Sequence, residues 1–171
     1  EEKEETKPVV QPEVKPTQND KKYNDVNDEA WYATPIQYVT RNNLMSGVGN
    51  DKFSPSDNGT RAMIVTILYN KEGKPAVYGK TNFSDVKTGA WYESPITWAK
   101  TNNIVDGYGN GTFGPDTPVT REQMAVILYN YAKSKGTVTM GSSALNFSDV
   151  SNINTWAYDA MKWCVSNKID R

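Results

Sequence analysis

The chain has no histidine and a single cysteine, Cys164, among its 171 residues. Without histidine it lacks the commonest general base near neutral pH and the commonest zinc ligand. One cysteine excludes an internal disulfide and a cysteine-cluster metal site. No run of about 18 apolar residues occurs, so no membrane insertion is expected. An excess of either charge is also missing. The 19 Lys and Arg against 20 Asp and Glu leave a formal net charge of −1, which argues against a nucleic-acid partner because neutralising phosphates needs a basic excess.

What the chain does have is 37% apolar and 11% aromatic residues, enough for one modest core. Residues 1–22 stand apart: charged Glu and Lys surround Pro8, Pro12 and Pro16. Such a stretch buries too little apolar surface to offset its ordering entropy, and an extended, partly polyproline-like linker is expected. The first residue is Glu1 and no signal peptide is recognisable, so the chain is expected to begin inside a longer precursor.

From Tyr23 onward the sequence repeats itself. Asn82-Phe83-Ser84-Asp85-Val86, Trp91, the Gly107–Gly111 turn, Phe113 and Thr120-Arg121 have counterparts 60 positions earlier. These are Tyr23-Asn24-Asp25-Val26, Trp31, Gly47–Asp51, Phe53 and Thr60-Arg61. A third copy opens with Asn146-Phe147-Ser148-Asp149-Val150 and Trp156 and stops at Arg171, in register with Asp106, before any turn or Thr-Arg pair. The domain reading is therefore repeat 1 over 23–79, repeat 2 with a Gly/Ser/Thr-rich connector over 80–144, and an incomplete repeat 3 over 145–171. An exposed apolar face on the last helix is expected from the missing half.

Each copy predicts two helices. The first runs from about Trp31 or Thr34 to Asn43, with Thr34 as cap and Pro35 in the first turn, and Ser94-Pro95 repeats the arrangement. Ile36, Val39 and Leu44, then Ile96, Ala99 and Ile104, form an apolar stripe, and glycine in the following turn is expected to stop the helix. The second helix starts at Thr60 and Thr120. Thr120-Arg121-Glu122-Gln123 fits a reciprocal capping box, whereas Met63 is expected to forfeit the return bond. Ile64, Ile67 and Leu68, matched by Met124, Ile127 and Leu128, are expected to face the core, with Phe53 and Phe113 plugging it.

This ordered set of motifs resembles the S-layer homology domain family over residues 23–171. The resemblance implies a mainly α, pseudo-threefold module with a central helix bundle, loop and helix prongs, and grooves between adjacent repeats. It also implies a non-catalytic anchor with no cofactor and no metal. Such an anchor would bind secondary cell-wall polysaccharide, often through pyruvylated N-acetylmannosamine, at the surface of a Gram-positive-type bacterium. Nothing in the sequence fixes an oligomeric state.

The candidate ligand-binding residues are Arg61, Arg121, Asp25, Asp85, Asp149, Trp31, Trp91 and Trp156. Arginine offers a planar, permanently charged fork for a ketal carboxylate, and a helix start adds free N–H groups. Tryptophan can cover a sugar face while aspartate meets hydroxyls. Each has a plainer alternative: the arginines could bridge to Asp25, Asp85 or Asp149 between repeats, the tryptophans could be core, and the aspartates could cap their turns. Trp98 and Trp163 are read as packing, and Cys164 as a small buried hydrophobe. The first copy has Ala62 for Glu122 and Asn58-Gly59 for Pro118-Val119, so its Thr-Arg site is expected to be looser.

Two other classes compete with an anchor. One is a protein-interaction array built from the same repeats. The other is a glycosidase using Asp85 and Glu122, disfavoured because Glu122 has no counterpart in the first copy. A calcium loop from Asp106 fails, since Tyr108 and Thr117 stand where oxygen ligands and the closing glutamate belong.

Overall fold

The computed structural model describes residues 22–141 and 144–169. The expected linker lies outside them except for Lys22, as do Asp170 and Arg171. The chain is mainly α. Its helices are α1 (Ala33–Arg41), α2 (Arg61–Lys71), α3 (Glu93–Thr101), α4 (Arg121–Ser134) and α5 (Tyr158–Ser166), the last preceded by 3₁₀ turns at Val150–Asn152 and Thr155–Ala157. Extended pairing among the described residues amounts to two isolated bridges, Gly49 with Lys52 and Thr60 with Pro118. None of these helices is long and apolar enough to cross a membrane.

The first helix of each copy ends differently from the expectation. Asn43 and Asn103, not a glycine of the following turn, take the left-handed conformation, at φ 54° and 56°. The N–H of Asn43 returns to the carbonyl of Thr40 at 3.0 Å and that of Leu44 to Val39 at 2.8 Å. This is the Schellman pattern, with an apolar residue following the stop. Asn42 and Asn102 reinforce it by donating their side-chain amides to the carbonyls of Tyr38 and Trp98, at 2.7 and 2.8 Å. Ile169 closes α5 in the same way onto Cys164 at 2.9 Å, with Lys168 left-handed at φ 58°.

Gly47 and Gly107 are required for another reason. A Cβ on Gly107 would lie 2.3 Å from the carbonyl of Thr112 and 2.5 Å from the Phe83 ring, and one on Gly47 would meet Lys52 and Tyr23 as closely. Only glycine lets the turn press against the aromatic that opens its copy.

Helix starts also show one correction and one gain. Thr34 lies inside α1 and caps nothing; Tyr32 occupies the cap position without a side-chain bond. Thr60 and Thr120 do cap α2 and α4, accepting from Met63 and Gln123 at 3.3 and 3.2 Å. The Met63 sulfur supplies the return acceptor at 3.5 Å that was expected to be lost, a weaker bond than an oxygen would make.

Packing runs across the sequence repeat. α2 packs on α3 of the next copy, α4 packs on α5 of the third, and α2 meets α4. The larger core joins Ala62, Val65, Leu68, Ile96, Ala99, Ile104, Phe113 and Ile127. A second cluster joins Ala125 and Ala132 to Ala157, Ala160, Met161, Trp163 and Cys164. Trp98 and Trp163 are packing residues as expected, each against the tyrosine of the preceding second helix: Tyr69 with Trp98 and Tyr129 with Trp163, both at 5.7 Å between ring centroids.

The helix faces are rotated slightly from the expected stripe. Val65 and Ala125 are buried, whereas Met124 is exposed and Ile64 half-buried. Phe113 is fully buried and Phe53 only half. α5 buries Met161, Trp163 and Cys164 against α4, and the exposed apolar side chains near it are Trp156, Tyr158 and Ile169.

Candidate functional site

Arg61 is the first residue of α2, and its helix start is covered by the return loop of the second copy. Its backbone N–H donates to the carbonyl of Thr117 at 3.0 Å and that of Ala62 to Pro115 at 3.1 Å, so two orphan donors of the helix are satisfied by the neighbouring repeat. The side chain follows the backbone. Nε donates to the carbonyl of Phe113 at 2.8 Å and an Nη2 hydrogen to that of Asp106 at 3.1 Å. The guanidinium carbon lies 4.7 Å from the Tyr108 ring centroid and 4.6 Å from that of Phe113, within cation–π range.

Only 6% of Arg61 is exposed. Burial pushes its pKa down from the ordinary arginine value, while Tyr108 and Asp85 act in the opposite direction. An arginine starts so far above neutrality that it keeps its charge at pH 7. Arg61 does tie two repeats together, but its hydrogen bonds go to the backbone carbonyls of Phe113 and Asp106 and not to the carboxylates of Asp25, Asp85 or Asp149 considered as its partners.

Arg61 forms one wall of a cavity of about 310 Å³. The Val105–Tyr108 turn and the α4 residues Gln123, Val126, Ile127 and Asn130 complete the walls, with Trp156 of the third copy at the edge. Asn130 also donates its side-chain amide to the carbonyl of Ile104 at 3.2 Å, tying α4 to the end of α3. The site thus draws on all three copies. Its surface combines one buried cation, an amide pair from Gln123 and Asn130, and aromatic faces, a set suited to a sugar carrying a negative charge.

The first copy has a matching groove of about 780 Å³, lined by Met45–Val48, Phe53–Pro55, Asp57–Gly59, Met63, Thr66, Ile67, Asn70 and Trp91. No arginine is among these residues. Its lining includes the return loop of the first copy, whose counterpart in the second copy is covered by the first turn of α2.

The candidate residues separate into distinct groups. Arg61 and Trp156 line one cavity, and Trp91 lines the other. Asp85 accepts from the backbone N–H groups of Phe113 and Gly114 at 2.8 and 2.7 Å, and Asp25 from those of Phe53 and Ser54, both at 2.8 Å. These bonds hold the Asp25 carboxyl below its ordinary pKa, the amide of Phe53 being the largest cause. Both aspartates brace the loop behind a groove. Asp149 precedes the 3₁₀ turn Val150–Asn152. Arg121 begins α4 exposed, and Trp31 is 87% exposed, edge-on to Tyr32.

The reading from sequence missed Tyr108, Gln123 and Asn130 as groove residues. A signal for Asn130 was present: Asn70 and Asn130 recur in register, and Asn70 likewise donates to Leu44 at 2.9 Å. Among the described residues no group of three or more acidic or sulfur side chains could hold a metal ion.

Fold and site together define a tandem-repeat helical module with clefts between consecutive copies. The model of the S-layer homology domain matches residues 22–62 and 82–125. The Surface-layer 125 kDa protein of Lysinibacillus sphaericus is 28% identical over 96% of this chain and 14% of its own length. The Endoglucanase of Bacillus sp. (strain KSM-635) is 31% identical over 82% of the chain and 15% of its own. The Cellulosome-anchoring protein of Acetivibrio thermocellus is 28% identical over 58% and 23%. The chain belongs to the S-layer homology domain family and is a cell-wall anchoring module of the bacterial cell surface. It spans less than a quarter of the length of these relatives.

Proposed function

We propose that this chain is a non-catalytic anchor that binds secondary cell-wall polysaccharide through a negatively charged, pyruvylated sugar, and that the Arg61 groove is its principal site. The observation that carries this reading is the cavity itself, with a buried guanidinium on one wall and an indole at its edge. Two carbonyls take one N–H each from Arg61. An arginine has five, so donors remain for a carboxylate. Held between two aromatic rings, the fork is pre-organised, and a carboxylate entering a partly dry cleft gains more from it than from an exposed lysine.

Trp156 would cover the apolar face of the sugar ring, with Gln123 and Asn130 meeting hydroxyls. In the first groove Trp91 would act on a neutral part of the glycan, since no arginine lines it. Relatives named as an endoglucanase and as a cellulosome-anchoring protein match over a small part of their own lengths, which fits a module that tethers different partners.

The test is pelleting of the chain with purified bacterial sacculi before and after acid removal of the secondary polysaccharide. Wild type should bind intact sacculi and lose binding on stripping, and Trp156→Ala should weaken it. Binding that survives stripping would overturn the proposal and favour a protein-interaction array.

A further inference from the structure

Glu122 is the second residue of α4, one position past Arg121, and a carboxylate there is ordinarily explained by the positive end of the helix dipole. Its contacts go further. Oε1 accepts from the backbone N–H of Asn154 at 2.8 Å and Oε2 from the Asn154 side-chain amide at 2.9 Å. Both oxygens are thus committed to one residue of the third copy, in charge-assisted bonds of good length. Asn154 caps the 3₁₀ turn Thr155–Ala157, its carbonyl accepting from the N–H of Ala157 at 2.9 Å. Ala157 is fully buried in the α4–α5 cluster. Trp156 therefore stands between a clamped residue and a buried one, while its own side chain is 56% exposed and lines the Arg61 cavity.

The other groove is built differently. Trp91 is 57% exposed, and the loop before it is held from within its own copy, the N–H of Gly89 donating to Glu93 Oε2 at 2.7 Å. The position matching Glu122 is Ala62, fully buried beneath the second copy's return loop, where no carboxylate fits. Among the described residues, only in the Arg61 groove does the helix that supplies the wall also hold the tryptophan at the edge.

We propose that Glu122 is a positioning residue for the Arg61 groove: through Asn154 it fixes Trp156 at a set distance from the α4 wall and so sets how tightly a saccharide is held. This rests on the saccharide-binding reading of that groove. The tryptophan and Gln123, Val126 and Asn130 then move as one body, and a bound sugar ring need not order the indole at its own expense.

The experiment is a double-mutant cycle on the whole chain with two readouts. The first needs no ligand: the indole N–H resonance of Trp156, identified by its disappearance in Trp156→Phe, should shift and broaden in Glu122→Ala while the other four tryptophan resonances of the five stay in place. The second is titration with polysaccharide released from sacculi by acid. Glu122→Ala and Trp156→Ala should each weaken binding about fivefold to tenfold, Glu122→Gln less, and the double variant no more than Trp156→Ala alone. An unchanged Trp156 resonance in Glu122→Ala, or losses that add in the double variant, would overturn the proposal. If the wild type binds no polysaccharide, the anchoring reading fails, and the indole resonance alone still decides whether Glu122 positions Trp156.

Discussion

Arg61 and Phe113, one from each of two repeats, are joined twice: Nε donates to the Phe113 carbonyl at 2.8 Å and the guanidinium lies 4.6 Å from the Phe113 ring. Removing the guanidinium strands that carbonyl and the one of Asp106 and opens space against a fully buried ring. Arg61→Ala should therefore lose about 2–4 kcal/mol of stability in urea unfolding. Arg61→Lys should recover only part, since an ammonium cannot reach both carbonyls in one plane.

The two turn glycines of the second copy should respond differently to alanine. At Gly107 the new Cβ would fall 2.3 Å from the Thr112 carbonyl, a backbone atom with no room to yield, and a loss of about 2–4 kcal/mol is expected. Gly109 has open space but φ +81°, so only the conformational penalty of about 1 kcal/mol applies. Thermal unfolding of the two variants side by side measures the difference.

Ser54 holds φ 58° where the second copy has Gly114 at φ 72°. Ser54→Gly should raise stability by up to about 1 kcal/mol, relief of the left-handed strain outweighing the extra freedom of the unfolded chain. The reverse change is not its mirror image. A Cβ on Gly114 would meet the Tyr108 ring at 2.7 Å and Thr117 Oγ1 at 2.8 Å, whereas the first copy has Val48 in place of Tyr108. Gly114→Ser should thus destabilise by more than Ser54→Gly stabilises, and should also disturb the Arg61 cavity. Urea denaturation of both variants checks this.

At the far end of the bundle Glu72 joins α2 to α4, bonding Tyr131 through one oxygen and Lys135 Nζ at 2.7 Å through the other. The hydrogen bonds from Lys135 and Tyr131 hold the Glu72 carboxyl below its ordinary range, and burial with the Glu72 bond pushes Tyr131 up to about 12. For Glu72 the depressed folded value gives stability present above the unfolded pKa near 4.5 and lost as pH falls through the folded one. For Tyr131 the raised value gives stability present below pH 10 and lost as pH rises from 10 toward 12. Urea unfolding of wild type and Tyr131→Phe across that alkaline window should show the wild type's advantage shrinking as pH rises.

Cys164 is buried and its thiol is pushed up by burial, so it carries little thiolate at neutral pH. A thiol reagent should label it only through opening of the α4–α5 cluster. The labelling rate at pH 8 should rise in parallel with any variant that loosens that contact, measured by absorbance of the released chromophore.

Much of the local structure was legible from residue order. Thr60 and Thr120 cap where expected, Ile96, Ala99, Ile104 and Phe113 are core, and Trp98 and Trp163 pack. The helix stops were harder to read. Asn42-Asn43 and Asn102-Asn103 carry them, but glycine a few residues on is the stronger textual signal for positive φ, and its need here is space against Tyr23 and Phe83. Asp25 and Asp85 were legible as important and not as loop braces, because their partners are amides 28 and 29 positions away.

The period, the helices and their caps could be read from residue order, since these depend on residues within a turn or two of one another. Residue order did not show that each second helix packs on the first helix of the following copy, so that Arg61 of one repeat is buried in the next and Trp156 of a third reaches the same cavity. A repeat states that copies exist but carries no information on which faces meet. That is settled by the shapes of the buried surfaces and by where the free N–H groups of a helix start find carbonyls.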